Sequence, residues 1–317
     1  MGTRGSALAI WQTEWVRARL HETGNRSERV EINTTGDLLP DVPLARIGSR
    51  ALFTKQIDDA LLDGRIDLAV HSFKDLPTEL PDGIIVAAVA PREDPRDALV
   101  GRGPLTWNQV PRGATIATSS VRRRAQLLHS RPDLTVVDIR GNVETRLSKL
   151  DAQPGWTGIL LAAAGLVRLG LDARIGERLP TTLMLPAPAQ GALAVTVRSD
   201  DAVTRAAARR AVHHPDTSLS VSAERGFLRR LEGGCQVPVA AYAELKREGD
   251  GTSLRLHGRV IALQGDKIIE GHQGGVISDD REAAMLGFNL ADRLHTEGAS
   301  EILAQVRSTV MPAVTEP

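Results

Sequence analysis

Apolar positions along the chain follow two periods that take turns. Leu8, Trp11, Trp15 and Ala18 share one face of a helix that Ser6 can cap and Gly24 can end. Residues 30–34 alternate as a strand, with Thr35-Gly36-Asp37 as the turn that closes it. Residues 41–52, rich in Pro, Gly and Arg, predict a loop, and Phe53, Ile57, Ala60 and Leu61 a second helix stopped at Gly64. Ile66-Asp67-Leu68-Ala69-Val70 and residues 84–90 read as buried strands. A charged stretch with two prolines, Pro91-Arg92-Glu93-Asp94-Pro95-Arg96-Asp97, marks a domain boundary. A second strand–helix set follows: strands at 114–117, 134–139 and 158–162, with helices from Val121 and over 143–150.

Pro186-Ala187-Pro188-Ala189-Gln190-Gly191 is a stiff connection, after which the strand 192–197 and the helix 202–212 are placed to return to the first set. His213-His214-Pro215 marks the next boundary. Beyond it come a helix over 217–231, alternating antiparallel strands at 237–245, 254–263 and 267–276, and helices near 281–296 and 300–307. A chain of 317 residues is expected to form two or three domains, and 42% hydrophobic with 25% charged residues is the balance of a globular protein. No apolar run is long enough to span a membrane, and Met1-Gly2-Thr3-Arg4 lacks a secretory pattern. A single cysteine excludes an internal disulfide framework and fits a reducing cytoplasm. Formal net charge of zero disfavours a general nucleic-acid binder. Lys55, Lys74, Lys149, Lys246 and Lys267 are the only lysines, so the cations are overwhelmingly arginine, the side chain that pairs bidentately with carboxylates.

Chemistry gathers in a few places. Leu231-Glu232-Gly233-Gly234-Cys235-Gln236-Val237-Pro238 sets the one thiol on an open turn after a helix. A lone cysteine is ordinarily a small buried hydrophobe, so the rest of the chain must decide its role. His71-Ser72-Phe73-Lys74-Asp75 lies at the carboxyl end of a strand, where open α/β sheets bind ligands. Thr118-Ser119-Ser120-Val121-Arg122-Arg123-Arg124 places hydroxyls and free amides at a helix start, an anion site with arginines beside it. Arg140-Gly141-Asn142, Arg146 and Arg168 follow the next two strands, so successive strand ends deliver arginine toward one side. Arg124 alone reads as part of a solvated face. His213 and His214, without regular companions, read as structural, and no metal site is predicted.

These stretches, together with Gly2-Thr3-Arg4-Gly5-Ser6-Ala7-Leu8-Ala9, Arg92-Glu93-Asp94-Pro95-Arg96-Asp97-Ala98 and residues 183–191, closely resemble the porphobilinogen deaminase (hydroxymethylbilane synthase) family over essentially the whole chain. The resemblance implies two α/β domains like those of periplasmic binding proteins plus a small C-terminal α+β domain: residues 1–92 with 191–212, then 93–190, then 213–317. It implies a dipyrromethane cofactor bound through a thioether to Cys235. Four porphobilinogen units are added to it with loss of ammonia, and water releases hydroxymethylbilane. Each pyrrole carries an acetate and a propionate, which demands fixed cations and hydrogen-bond donors. The resemblance supplies Lys74, Thr118, Ser119, Ser120, Arg122, Arg123, Arg140, Gly141, Arg146 and Arg168 toward the cofactor, and Arg4, Ser6, Gln12 and Gln190 toward the substrate. Asp75 is the carboxylate expected to stabilise the cationic azafulvene left by ammonia. A cytoplasmic monomer whose partner is porphobilinogen, without nucleic acid or membrane, is expected.

In that family a first strand normally precedes the Thr-Arg motif, whereas Met1 stands directly before Gly2, so either the true start lies upstream or the first domain lacks part of that strand, with its stability rather than its chemistry affected. Arg46 and Arg50 stand where relatives often have lysine, with charge kept. The main rival is a non-catalytic two-lobed binder of an anionic ligand, which leaves Cys235 and Asp75 together unexplained. A nucleic-acid regulator is disfavoured by charge, and a thiol hydrolase by the absence of a histidine placed near Cys235.

Overall fold

The computed structural model describes residues 1–34, 54–231, 237–248 and 251–310. The segments read above as the turn at 35–37 and the loop at 41–52, with Arg46, Arg50 and Phe53, lie outside the described residues, as does Cys235.

Strands β1 (Gly2–Thr3), β2 (Val30–Glu31), β3 (Leu68–Ser72), β4 (Ile84–Val89) and, from much later in the chain, β10 (Leu193–Arg198) form the first sheet in the order β2-β1-β3-β10-β4. β1 runs parallel to β2 and β3, while β10 is antiparallel to both β3 and β4. The apolar run of β3 is buried throughout Leu68–His71, as expected for a strand covered on both faces. Helix α1 (Ala7–Glu22) starts where the Ser6 hydroxyl accepts from the Ala9 amide and covers the sheet with Val16 and Leu20. Helix α2 (Lys55–Leu62) inserts Ile57, Ala60 and Leu61 against Ile66, Ala69 and Ile84.

The second sheet repeats this plan. Strands β5 (Asp97–Val100), β6 (Thr115–Ala117), β7 (Thr135–Val137), β8 (Gly158–Ala162) and β9 (Glu177–Arg178) take the order β7-β6-β8-β5-β9, with β6 parallel to its neighbours and β5 antiparallel to β8 and β9. In each sheet, then, the strand that enters straight from a crossing between the two units is the antiparallel one. Helices α3 (Val121–Ser130), α4 (Val143–Ala152) and α5 (Ala163–Arg168) follow β6, β7 and β8, and α6 (Ala202–Val212) follows β10. The C-terminal unit is an antiparallel meander, β11 (Val239–Glu248), β12 (Gly251–Ile261) and β13 (Ile268–Val276), covered by α7 (Pro215–Arg230), α8 (Asp280–Leu294) and α9 (Ser300–Val310). Phe227, Leu256, Val260, Leu290 and Leu294 form its core.

Several boundaries differ from the sequence reading. The strand expected over 30–34 pairs only at Val30–Glu31. Strand β5 was hidden because its three apolar residues directly follow a charged, proline-broken segment that reads as connection throughout. The residues after β8, given no element by the apolar pattern, form the short helix α5. Strand β1 has two residues, yet it pairs on both sides, and Met1 is buried in the first core. Among the described residues no helix is long and apolar enough to cross a membrane.

The two crossings between the α/β units run side by side. The Ala90 amide donates to the Leu193 carbonyl at 3.0 Å and the Glu93 amide to the Gly191 carbonyl at 3.1 Å. Gly191 has φ +89°, and a Cβ there would sit 2.3 Å from the Glu93 carbonyl oxygen, so this approach requires glycine.

Candidate active site

The predicted polar residues sit at the carboxyl ends of the parallel strands of both α/β sheets. Arg4 follows β1, and Lys74 and Asp75 lie in a single 3-10 turn, Phe73–Asp75, after β3. Thr118, Ser119 and Ser120 follow β6, Arg140 and Gly141 follow β7, and Arg168 ends α5 after β8. The two sets face each other: Asp75 lies in the electrostatic field of Arg146, and Lys74 in that of Asp97, Arg122 and Arg123. Gly141, with φ +116°, turns the chain so that its carbonyl accepts from Arg146 Nε at 2.8 Å, and Asn142 then caps α4 through the Thr145 amide.

Arg122 and Arg123, expected to meet a bound anion, each have a protein carboxylate within reach. Both are buried in the first turn of α3, where the helix dipole favours negative charge and no acidic side chain stands. Asp97, fully buried at the start of β5, supplies it. Its Oδ2 accepts from Arg122 Nη1 at 2.7 Å, and its Oδ1 from Arg123 Nη2 at 2.7 Å and Nε at 3.0 Å. Burial alone would raise the Asp97 carboxyl, but the two guanidiniums outweigh it and hold it well below the usual range. Arg122 Nη1 also donates to the Leu185 carbonyl at 2.7 Å and Arg123 Nη1 to the Leu160 carbonyl at 2.9 Å, so both guanidiniums are committed to partners inside the protein. Gln190 is equally committed: its amide donates to Pro95 O and Asp97 Oδ1 and accepts from Lys74.

Arg140 and Arg146 remain available for an anion. Arg140 Nη1 is buried and has no hydrogen-bond partner, an orphan that a carboxylate would satisfy. Burial pushes Arg146 down to about 10, helped by Arg123 and Arg140 and opposed by Asp75, so it stays charged at neutral pH. This surplus of buried cation around an exposed Asp75 fits a cofactor that carries several carboxylates. Arg168 donates to the Gly191 carbonyl at 2.6 Å and lies over the Trp11 ring, and burial lowers it to about 10. It therefore ties α5 to α1 and to the second crossing.

Ser119 and Thr118 bond inward: the Ser119 hydroxyl bridges the backbone of Ile139, and Thr118 accepts from the Ser120 amide. Ser120 caps α3 through the Arg123 amide. On the first unit, Arg4, Ser6, Gln12, His71, Ser72 and Asp75 border one cavity of about 70 Å³, which brings three of the four predicted substrate residues, all but Gln190, together with the predicted catalytic one. Gln12 Nε2 donates to the Ser72 hydroxyl at 2.9 Å. His71 is buried against Thr196, and burial, with Arg4 beside it, pushes it down to about 4, so it is neutral. A larger cavity, about 450 Å³, opens between the first crossing, α7 and β11, but holds none of these groups. His214 caps α7 and His213 accepts from the Val89 amide, both structural as expected.

Two carboxylates escaped the sequence reading. Asp97 could have been suspected as a lone acid at the head of an apolar run inside a matched motif. Glu224, fully buried on α7, accepts from both Nη atoms of Arg92 at 2.6 and 3.0 Å, and from the amides of Ala189 and Ala243. It joins both crossings to the C-terminal unit. Its signal was a single acid among Val221, Ala223 and Phe227.

Residues 1–206 match the family model described as porphobilinogen deaminase, dipyromethane cofactor binding domain, and residues 218–296 match the porphobilinogen deaminase C-terminal domain. The porphobilinogen deaminase of Pelobacter propionicus is 47% identical over 309 residues, covering 96% of each chain. That of Syntrophotalea carbinolica is 47% identical over 317 residues, covering 99% of this chain and 98% of its own. A putative methionine-binding lipoprotein from Bacillus subtilis aligns with 68% of this chain and 90% of its own, at 13% identity and a TM-score of 0.42. The α/β assignment rests on the strand orders above. With both family models matched in order and close relatives covering nearly its full length, the chain belongs to the porphobilinogen deaminase family.

Proposed function

We propose that the chain is a porphobilinogen deaminase, a transferase of tetrapyrrole biosynthesis that joins four porphobilinogen units with loss of ammonia and releases hydroxymethylbilane by hydrolysis. The observation that carries this reading is that Asp75 lies in the electrostatic field of Arg146, while Gln190 links Lys74 to the Asp97 that Arg122 and Arg123 hold. A dipyrromethane cofactor on Cys235 supplies, when bound, the pyrrole carbon to which the first unit is joined. Arg140 and Arg146 would hold its carboxylates, the first through its orphaned Nη1.

Asp75 is the catalytic carboxylate. It is exposed at the rim of the cavity that Arg4, Ser6 and Gln12 border, where it can accept a pyrrole N–H and balance the positive charge that develops as ammonia leaves. Arg4 and Ser6 would orient the substrate's acetate and propionate there. Arg122, Arg123 and Gln190 act from behind, by fixing the wall that carries Lys74. Arg168 contributes by holding the second crossing. A cytoplasmic monomer acting on porphobilinogen alone is the accompanying reading, supported by the near-neutral charge balance and the single cysteine.

A two-lobed binder would not need a thiol, and this supplies the test. The intact mass of purified protein is compared with that of Cys235→Ser. A mass excess of one dipyrromethane, absent in the variant, with further discrete additions on incubation with porphobilinogen, is expected. A folded wild type that stays unmodified after incubation would refute the reading.

A further inference from the structure

We propose that Gln190 is a positioning residue: its amide, oriented by the buried Asp97 cluster, holds the Lys74 ammonium beside Asp75 and ties that pair to the arginines of the second α/β unit. Gln190 is fully buried on the second crossing, and both its neighbours, Ala189 and Gly191, have left-handed backbones at φ +62° and +89°. Its amide N–H donates to Ala187 O at 2.9 Å, and its own carbonyl accepts from Arg92 Nε at 2.8 Å. The backbone therefore aims the side chain in one direction.

The side chain has one possible orientation. One end faces Pro95 O at 2.7 Å and Asp97 Oδ1 at 2.9 Å, both pure acceptors, so that end must be the NH₂. The carbonyl oxygen is left pointing at Lys74 Nζ, 3.1 Å away. Lysine is a flexible stem with a point charge and does not position itself. The charged groups around it pull in opposite senses: Asp75 and Asp97 favour its ammonium, and Arg122 and Arg123 oppose it. Burial pushes Lys74 down to about 8, close enough to neutrality for a single acceptor to matter. A hydrogen bond to the charged form holds the proton on, and Gln190 supplies it without adding charge beside Asp97.

The consequence for turnover rests on the reaction proposed above, but the placement of Lys74 does not, and the test reads Lys74 directly. Purified full-length protein is labelled with acetic anhydride across the neutral to alkaline range against a free reference amine, and acetylation of the Lys74 peptide is measured by mass. The wild-type midpoint is expected at about 8. Gln190→Met, which removes the acceptor, should lower it by about one unit, a tenfold loss of proton affinity. Gln190→Glu, which places an anion there, should raise it. A Gln190→Met midpoint equal to wild type in a protein that unfolds normally would overturn the proposal. If that variant does not fold, Gln190→Glu decides: a raised midpoint supports it and an unchanged one overturns it. Neither outcome touches the mass test of Cys235.

Discussion

Replacing Glu224 by Gln should destabilise the protein more than any surface change, and the structure says by how much. The native carboxylate is 0% exposed and accepts four bonds: two from Arg92, itself 11% exposed, and one each from the amides of Ala189 and Ala243. Glutamine retains one acceptor oxygen but turns an NH₂ toward donors and leaves the Arg92 charge buried without a counter-ion. Breaking one side of such a pair costs about 3–5 kcal/mol. Unfolding entropy of about 2.1 cal/mol/K per residue makes each kcal/mol worth roughly 1.5 °C in a chain of this length that unfolds as a unit. A fall in the thermal midpoint of roughly 4–8 °C is expected by calorimetry. Arg92→Met should cost a similar amount, and the double variant much less than the sum, because no unpaired charge is then buried. A Glu224→Gln midpoint within about 1 °C of wild type, or strictly additive costs, would show that the reasoning is wrong.

Asp75→Asn should reduce porphobilinogen consumption by at least about 10²–10³-fold, the scale of losing one preorganised electrostatic group, while the unfolding midpoint stays put because Asp75 is exposed. A variant with near-normal turnover would remove Asp75 from the chemistry. Asp97→Asn should lower stability in urea by about 3–5 kcal/mol, since two buried guanidiniums lose their shared anion. A loss under about 1 kcal/mol would mean that they re-pair elsewhere. His71, neutral in the fold with a value near 4 against 6.5 unfolded, makes the unfolded state bind the extra proton between those values, so stability falls as pH drops through that window, by up to about 3 kcal/mol. Asp58, pushed up to about 6 mainly by burial, works in the opposite sense over part of the same range. The His71 contribution is therefore the difference between wild type and His71→Gln measured at both ends, and equal acid sensitivity of the two would contradict it.

Periodicity sufficed wherever an element carries its own pattern. The strand Gly158–Ala162 and the helix Ala202–Val212 lie where the sequence put them, because an apolar run between turn signals and an Asp-led amphipathic segment need no help from elsewhere. The strand Asp97–Val100 failed that test: a three-residue apolar run is made a strand by Leu160 and Glu177 on either side, partners distant in sequence. The same limit governs the site. The motifs located the arginines at strand ends, but whether a guanidinium faces a ligand or a protein carboxylate depends on what the fold brings against it. Arg122 and Arg123 meet Asp97, and Arg140 keeps an unpaired nitrogen.

The strand order of the first sheet has a consequence for the birth of the molecule. Among the strands β4 pairs only with β10, and β10 is made about a hundred residues after it, which at about 5–20 residues per second leaves both β3 and β4 with an open edge for roughly 5–20 s. The second unit holds all its strands in one uninterrupted stretch and can close as soon as it emerges. Chains stalled on the ribosome before Leu193 should thus show a protease-resistant second unit and a labile first one. A resistant first unit at that length would reverse the order. On this schedule, the end of the chain synthesised first belongs to the later of the two α/β units to fold.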